Sequence, residues 1–214
     1  MGQFGSIDME RYLLANSDPE DALLHELDRQ THLRTIQPRM ASGHLQGSLL
    51  RMLVRMARPQ TVLEIGTFTG YSALCMAAGL EGDARLHTVE INDELETMIR
   101  SFFERSAYSE RLILHIGTLS DALASIDTPI DFAFIDGDKR EYIEYYEAIL
   151  PRVREGGFML ADNVLWDGHV IETPRTSDHH TQAVKAFNDY VAHDTRVEKV
   201  IVPIRDGLTI MRKK

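Results

Sequence analysis

The sequence predicts a doubly wound α/β fold: a mostly parallel sheet with helices on both faces, N-terminal helices before it and an antiparallel C-terminal hairpin after it. Two observations carry this. Up to Pro59 the apolar residues recur only at helical spacing, and beyond it short apolar runs of strand length alternate with helical stretches. A strand, helix, strand order makes parallel neighbours, because parallel strands need a crossover and cannot be joined by a tight turn.

A helix is expected over residues 19–34, where Leu23, Leu24, Leu27 and Leu33 stand among charges and Asp18-Pro19 offers a cap and a first-turn residue. A second is expected over 43–58, where Leu45, Leu49, Leu53 and Ala57 recur every fourth position, with Leu50 and Val54 widening the stripe before Pro59. Strands are expected at 61–65, 85–89, 112–116, 132–135 and 157–160, with helices between them at 72–78, 93–105, 119–126 and 142–150. A last helix over 181–193 leads into runs at 197–204 and 208–211, and the turn Arg205-Asp206-Gly207 between them makes the hairpin. No repeat or linker divides the chain, so one domain is expected over 1–214, with a helical part at 1–58 and an α/β core at 60–214.

Of 214 residues, 23 are basic and 33 acidic, and the net charge of −10 disfavours nucleic acid as a partner. One cysteine, Cys75, permits no internal disulfide, and no cysteine pair suggests structural zinc. No apolar run approaches the roughly 18 residues that span a bilayer, and no secretory pattern opens the chain, so a cytoplasmic protein away from membranes is expected. Met1-Gly2-Gln3-Phe4-Gly5-Ser6 matches a myristoylation signal by letter, although a start methionine before a small residue is the plainer reading.

In such a sheet, ligands bind outside the carboxyl ends of the strands. The first strand runs into Glu64-Ile65-Gly66-Thr67-Phe68-Thr69-Gly70-Tyr71-Ser72, which has two glycines four apart and no G-x-G-x-x-G. A pyrophosphate there would meet the Glu64 carboxylate, whereas a cationic ligand would be attracted. Glu90 follows the second strand, where these folds place an acid on ribose hydroxyls. Ribose without pyrophosphate, joined to a cationic amino acid, describes S-adenosylmethionine. The fourth and fifth strands end in Asp136-Gly137-Asp138-Lys139 and Asp162-Asn163. Asp136, Asp162 and Asn163 offer hard oxygen ligands suited to Mg²⁺, with Ca²⁺ or Mn²⁺ as alternatives, and Lys139 is the candidate base beside them. Helix caps and solvated charges are the plainer reading of each residue taken alone.

Four blocks in register, VLEIGTFTGYSAL over 62–74, Glu90, FIDGDK over 134–139 and ADNVLWDGHV over 161–170, resemble the metal-dependent O-methyltransferases of the catechol and caffeoyl-CoA type. The resemblance implies a Rossmann-like class I methyltransferase fold and a cofactor site of Met40, Glu64, Gly66, Phe68, Ser72, Glu90, Thr118, Leu119 and Asp136. Within it, Glu64 lies near the amino acid part and Glu90 on the ribose. It implies a metal held by Asp136, Asp162 and Asn163, Lys139 as the base, and Trp166 on a loop over the acceptor pocket, its face free to stack on a flat ring. Asp138 stands where the animal catechol enzymes carry tryptophan, which places the chain nearer the plant and bacterial branch. Glu198 lies in a segment whose length differs from that carrying the late acid of the animal enzymes.

The expected activity is methyl transfer from S-adenosylmethionine, leaving S-adenosylhomocysteine, to a hydroxyl of a small vicinal-dihydroxy aromatic acceptor with divalent-metal assistance. The alternatives are a non-catalytic adenosylmethionine or metal binder and an NAD-dependent oxidoreductase. His179-His180 reads as solvated loop, Cys75 as packing, and Tyr142, Tyr145 and Tyr146 as core contacts. Leu45, Leu49 and Leu53, with Leu23 and Leu27, give more apolar stripe than one small sheet needs and predict a homodimer.

Overall fold

The computed structural model describes residues 7–174 and 176–214, so the Met1–Ser6 pattern lies outside the described residues. Three helices open the chain: α1 (Ile7–Ala15), α2 (Ala22–Arg34) and α3 (Gly43–Ala57). The alternation then runs β1 (Thr61–Ile65), α4 (Tyr71–Ala77), β2 (Arg85–Glu90), α5 (Glu96–Arg105), β3 (Leu112–Ile116), α6 (Leu119–Ala124), β4 (Ile130–Ile135), α7 (Tyr142–Ile149) and β5 (Val153–Asp162). Helix α8 (His179–His193) and strands β6 (Val197–Val202) and β7 (Leu208–Lys213) close it.

The seven strands lie in the order β3-β2-β1-β4-β5-β7-β6. Strands β1 to β5 are parallel, and β7 runs antiparallel between β5 and β6. The expected terminal hairpin is present, with β7 inside the sheet and β6, carrying exposed Val200 and Ile201, at its edge.

Side chains alternate across the sheet as the two-residue period of a strand requires. Val62, Leu86, Phe132 and Phe134 meet α2 to α5 through Leu27, Leu50, Val54, Met76 and Ile99. Leu63, Val89, Ala133 and Met159 meet α6 to α8 through Ala122, Tyr146, Ile149 and Phe187. Both faces are covered, so the parallel strands read as continuous apolar runs. Gly47 lets α3 settle closely on α4, because a Cβ there would stand 2.5 Å from Cys75 Sγ and 3.0 Å from Tyr71 Cε1.

Register explains why the strand ends matter together. Ile65 pairs with Val89 and Ile135, Ile135 pairs with Ala161, and Glu90 pairs with Ile116. Gly66, Ile91, Gly117, Asp136 and Asp162 therefore leave or end the sheet along one edge. Among the described residues, no helix is long and apolar enough to cross a membrane.

Several expectations are corrected. The cap of α2 is Asp21, whose carboxylate accepts from Leu23 N at 2.8 Å, and not Asp18, whose carboxylate is paired with Arg51. Strand β5 extends beyond the expected 157–160 because its charged start is paired across the sheet through Arg154 and Asp131. The His179-His180 pair forms the first turn of α8 and is not loop, with Asp178 accepting from Thr181 N as its cap. The leucine stripe is largely spent inside the chain: Leu27 is fully buried, and Leu23, Leu49 and Leu53 pack on the core. Apolar side chains left outside include Tyr12 on α1, Leu33 and Ile36 at the end of α2, Met40 after it, and Met52 and Met56 on α3.

His87 on β2 and His115 on β3 stack in parallel, ring centroids 5.3 Å apart, with Nδ1 of the first 3.0 Å from Nε2 of the second. Burial, with the second ring beside it, pushes His87 down to about 4, and burial lowers His115. An unfolded histidine titrates near about 6.5. Above that pH the neutral pair costs nothing; as pH falls below it the unfolded chain takes up protons that the folded chain resists until about 4. The stability advantage of wild type over His87→Asn, measured by urea unfolding, is therefore expected to shrink from pH 7.5 to pH 5. A difference that stays flat over that range would show that the pair titrates normally in the fold.

Candidate active site

The turn after β1 is shaped by close approach. At Gly66, φ is +92° and a Cβ would stand 2.3 Å from the Asp136 carbonyl oxygen, so only glycine lets β1 and β4 leave the sheet side by side. Phe68, at φ 50°, is held in a left-handed conformation because its N–H donates to Glu90 Oε2 at 2.7 Å. The other Glu90 oxygen accepts from Asn92 N at 2.9 Å. The Thr31 hydroxyl of α2 donates to Thr69 Oγ1 at 2.9 Å, tying the N-terminal helices to the same turn.

Glu64 is fully buried. Its two oxygens accept from Ser72 Oγ and Thr88 Oγ1, each at 2.5 Å. Burial pushes its carboxyl up to about 8, against the pull of those hydroxyls and with the nearby Asp136 and Glu90 adding to the rise.

At the neighbouring strand ends, Asp136 N donates to Ile65 O at 2.8 Å and Asp136 Oδ1 accepts from Lys139 Nζ at 2.8 Å. Lys139 Nζ also donates to Gly137 O at 3.2 Å and to Tyr142 Oη at 2.7 Å, as many bonds as an ammonium has protons. The buried Tyr142 hydroxyl donates in turn to the Asp162 carbonyl oxygen at 3.0 Å, so one chain of bonds joins Asp136, Lys139, Tyr142 and β5. Burial raises Asp136, Asp162 adds to the rise, and Lys139 and Arg205 oppose it.

Among the described residues, the partners of the Asp162 carboxylate are neutral: Oδ1 accepts from Asn163 N at 2.8 Å and Oδ2 from Gln46 Nε2 at 2.6 Å. Asn163 follows at φ 55°. Among the described residues, no cluster of three or more His, Cys, Asp or Glu is arranged to hold a metal, and the expected set has two carboxylates and an amide. Its chemistry nonetheless fits a hard cation, since Asp162 adds to the cost of ionising Asp136 and Lys139 bonds to Asp136 and not to Asp162.

Met40, Gly66, Phe68, Ser72 and Asp136 line one cavity, with Ala41, Ser42 and Tyr71. Glu64 and Glu90 stand one hydrogen bond behind it, through Ser72 and Phe68. Thr118 and Leu119 do not line it. Thr118 caps α6, its hydroxyl 2.6 Å from Asp121 Oδ2, at the end of β3. Trp166 stacks its ring on His180, centroids 5.8 Å apart and 12° between planes. Asp138 caps the turn before α7 and is held down to about 2 by Arg140. Glu198 pairs with Arg212 in the exposed hairpin.

Four residues at the site were not legible in the sequence: Gln46, Tyr142, Arg205 and Asp206. Tyr142 lies in helical register with Tyr146, and its ring is core as expected; only the hydroxyl's three partners reveal more. Arg205 donates to Ala41 O at 2.9 Å and holds the α2–α3 connector over the cavity. Asp206 accepts from Asp167 N and is raised by burial, with Asp162 close enough to add to the rise.

A Rossmann-like sheet with these acid-tipped strands defines an S-adenosylmethionine-dependent methyltransferase. Residues 14–214 match the O-methyltransferase family model, and the chain belongs to that family, in its caffeoyl-CoA and catechol branch. It is 33% identical over 200 residues to tricin synthase 1 of Oryza sativa subsp. japonica, covering 85% of this chain and 79% of the relative. It is 28% identical to a caffeoyl-CoA O-methyltransferase of Stellaria longipes, covering 99% of this chain and 92% of the relative. The O-methyltransferase of Bacillus cereus, solved in complex with SAH, superposes with a TM-score of 0.89 at 28% identity, covering 97% of each chain. The oxidoreductase alternative finds no support in this family.

Proposed function

We propose that the enzyme transfers the methyl group of S-adenosylmethionine to a hydroxyl of a small vicinal-dihydroxy aromatic acceptor, with a divalent cation, Mg²⁺ first, held by Asp136, Asp162 and Asn163. The observation that carries the reading is the pair of acids at adjacent strand ends, one with neutral partners among the described residues, beside the Lys139 ammonium. A relative named for caffeoyl-CoA supports an aromatic acceptor.

The cofactor would lie along the edge from β2 to β4. Glu90 would take the ribose hydroxyls with the lone pairs left by Phe68 and Asn92, and Glu64, with Ser72, would face the amino acid part. Met40, Gly66, Phe68, Thr118 and Leu119 would enclose the rest. When bound, the cation supplies Lewis-acid chemistry that favours the ionised form of an acceptor hydroxyl. The acceptor oxygen attacks the methyl carbon in line, the carbon–sulfur bond breaks with its electrons going to sulfur, and the hydroxyl proton goes to water or to Lys139 Nζ, which takes it only as the neutral amine. Asp136 orients Lys139 through the 2.8 Å contact. Trp166, with one face on His180, offers the other to the acceptor ring. The catalytic contribution is positioning and electrostatics.

The exposed apolar side chains of Met52, Met56, Leu33 and Ile36 support the pairing of two copies into a homodimer, and the free Cys75 is in keeping with a reducing cytoplasm. Light scattering at micromolar concentration should give twice the chain mass; a monomer mass rejects the pairing.

Glu90→Ala should weaken S-adenosylhomocysteine binding roughly tenfold or more, because each charge-assisted bond is worth about 1.5 to 3 kcal/mol. Equal calorimetric affinities would remove Glu90 from the cofactor site. Asp162→Ala should abolish methyl transfer while S-adenosylhomocysteine still binds, and EDTA should mimic it with Mg²⁺ restoring the rate, because an unassisted phenol keeps a pKa near about 10. Undiminished turnover in EDTA on a catechol that the untreated enzyme methylates would overturn the metal half of the reading.

A further inference from the structure

The carboxylate of Asp162 is held from behind by a residue of the N-terminal helices. Gln46 lies in the first turn of α3, 116 positions before Asp162, and both are buried. Its Nε2 donates to Asp162 Oδ2 at 2.6 Å, while Asn163 N donates to Oδ1 at 2.8 Å. The neighbouring Gly47 lets α3 settle closely on α4.

The chemical nature of the donor decides what the contact does. A carboxylate oxygen can accept more than one bond, so one donor on each oxygen fixes the plane of the group and leaves a lone pair on each for a cation. An amide fixes the plane without neutralising the charge. A lysine or arginine in its place would compete with the cation for that charge. Ligating carboxylates are in general oriented by such outer hydrogen bonds, and losing one typically costs about 10- to 100-fold in metal affinity.

We propose that Gln46 is a positioning residue that orients Asp162 for the divalent cation, so that the α3 helix tunes metal affinity without touching metal, cofactor or acceptor. The inference rests on the reading of Asp136, Asp162 and Asn163 as metal ligands. Gln46→Met keeps the length and bulk of the side chain and removes the donor; it should raise the Mn²⁺ dissociation constant, read by the electron paramagnetic resonance of free Mn²⁺, by about 10-fold or more. The Mg²⁺ concentration for half-maximal turnover should rise in parallel, with S-adenosylhomocysteine affinity unchanged by calorimetry. Leu50→Val, one turn along α3, loosens the same helix without touching the bond and should lower the melting temperature while leaving Mn²⁺ affinity as it is. Should Gln46→Met fail to fold, Gln46→Asn, one methylene too short to reach, gives the same comparison. Mn²⁺ affinity equal to wild type in the Gln46 variant, or an equal loss in Leu50→Val, overturns the proposal while the metal reading stands. A wild-type chain that binds no Mn²⁺ overturns the metal reading and the proposal together.

Discussion

The closeness of β1 and β4 where they leave the sheet is the constraint on which the rest depends. Asp136 N bonds to Ile65 O, and Gly66 has no Cβ to keep the two exits apart. A side chain at Gly66 would push Asp136 away from the edge, and with it the Lys139 and Tyr142 bonds that reach β5. The same turn places Phe68 N on Glu90, so the edge from β2 to β5 is one connected piece of backbone and buried acid. Local strain at Phe68 and Asn163 is tolerated because hydrogen bonds and packing around them allow few alternatives.

Electrostatically the site concentrates acids in a protein that is already acidic. Glu64, Glu90 and Asp162 are all buried, and Asp136 stands in the same group. Hydroxyls, amides and backbone N–H groups satisfy most of them, with Lys139 the buried cation among them. Neutral donors hold these carboxyl groups without a countercharge, and the burial that raises Glu64 and Asp136 is offset by a sulfonium, an ammonium or a metal ion and not by phosphates.

How much of this the sequence revealed follows from the range of the interactions. The parallel strands were legible because both faces are buried and each reads as an apolar run, and the strand-end acids because topology says where ligands go. Helix α1 and the charged beginning of β5 were missed, since neither shows a clean period. The leucines of α3 form the stripe their spacing predicts, but rotated: Gln46, Leu50 and Val54 face inward, and Leu49 and Leu53 flank them. Gln46 and Arg205 meet their partners across 116 and 164 positions, distances at which spacing carries no signal. Tyr142 was legible as core by its ring and illegible by its oxygen, because periodicity reports where a side chain points and not what its tip bonds to.

Placing β7 between β5 and β6 has a consequence for synthesis. A ribosome delivers residues in order, so β6 emerges with no neighbour to join and stays an unpaired ribbon until 208–213 follow. The Arg205-Asp206-Gly207 turn, which braces the α2–α3 connector, arrives in the same late stretch. The nascent chain can therefore assemble its first five strands and their helices early, yet it becomes a closed catalyst only when its latest strand slides into a gap between two older ones.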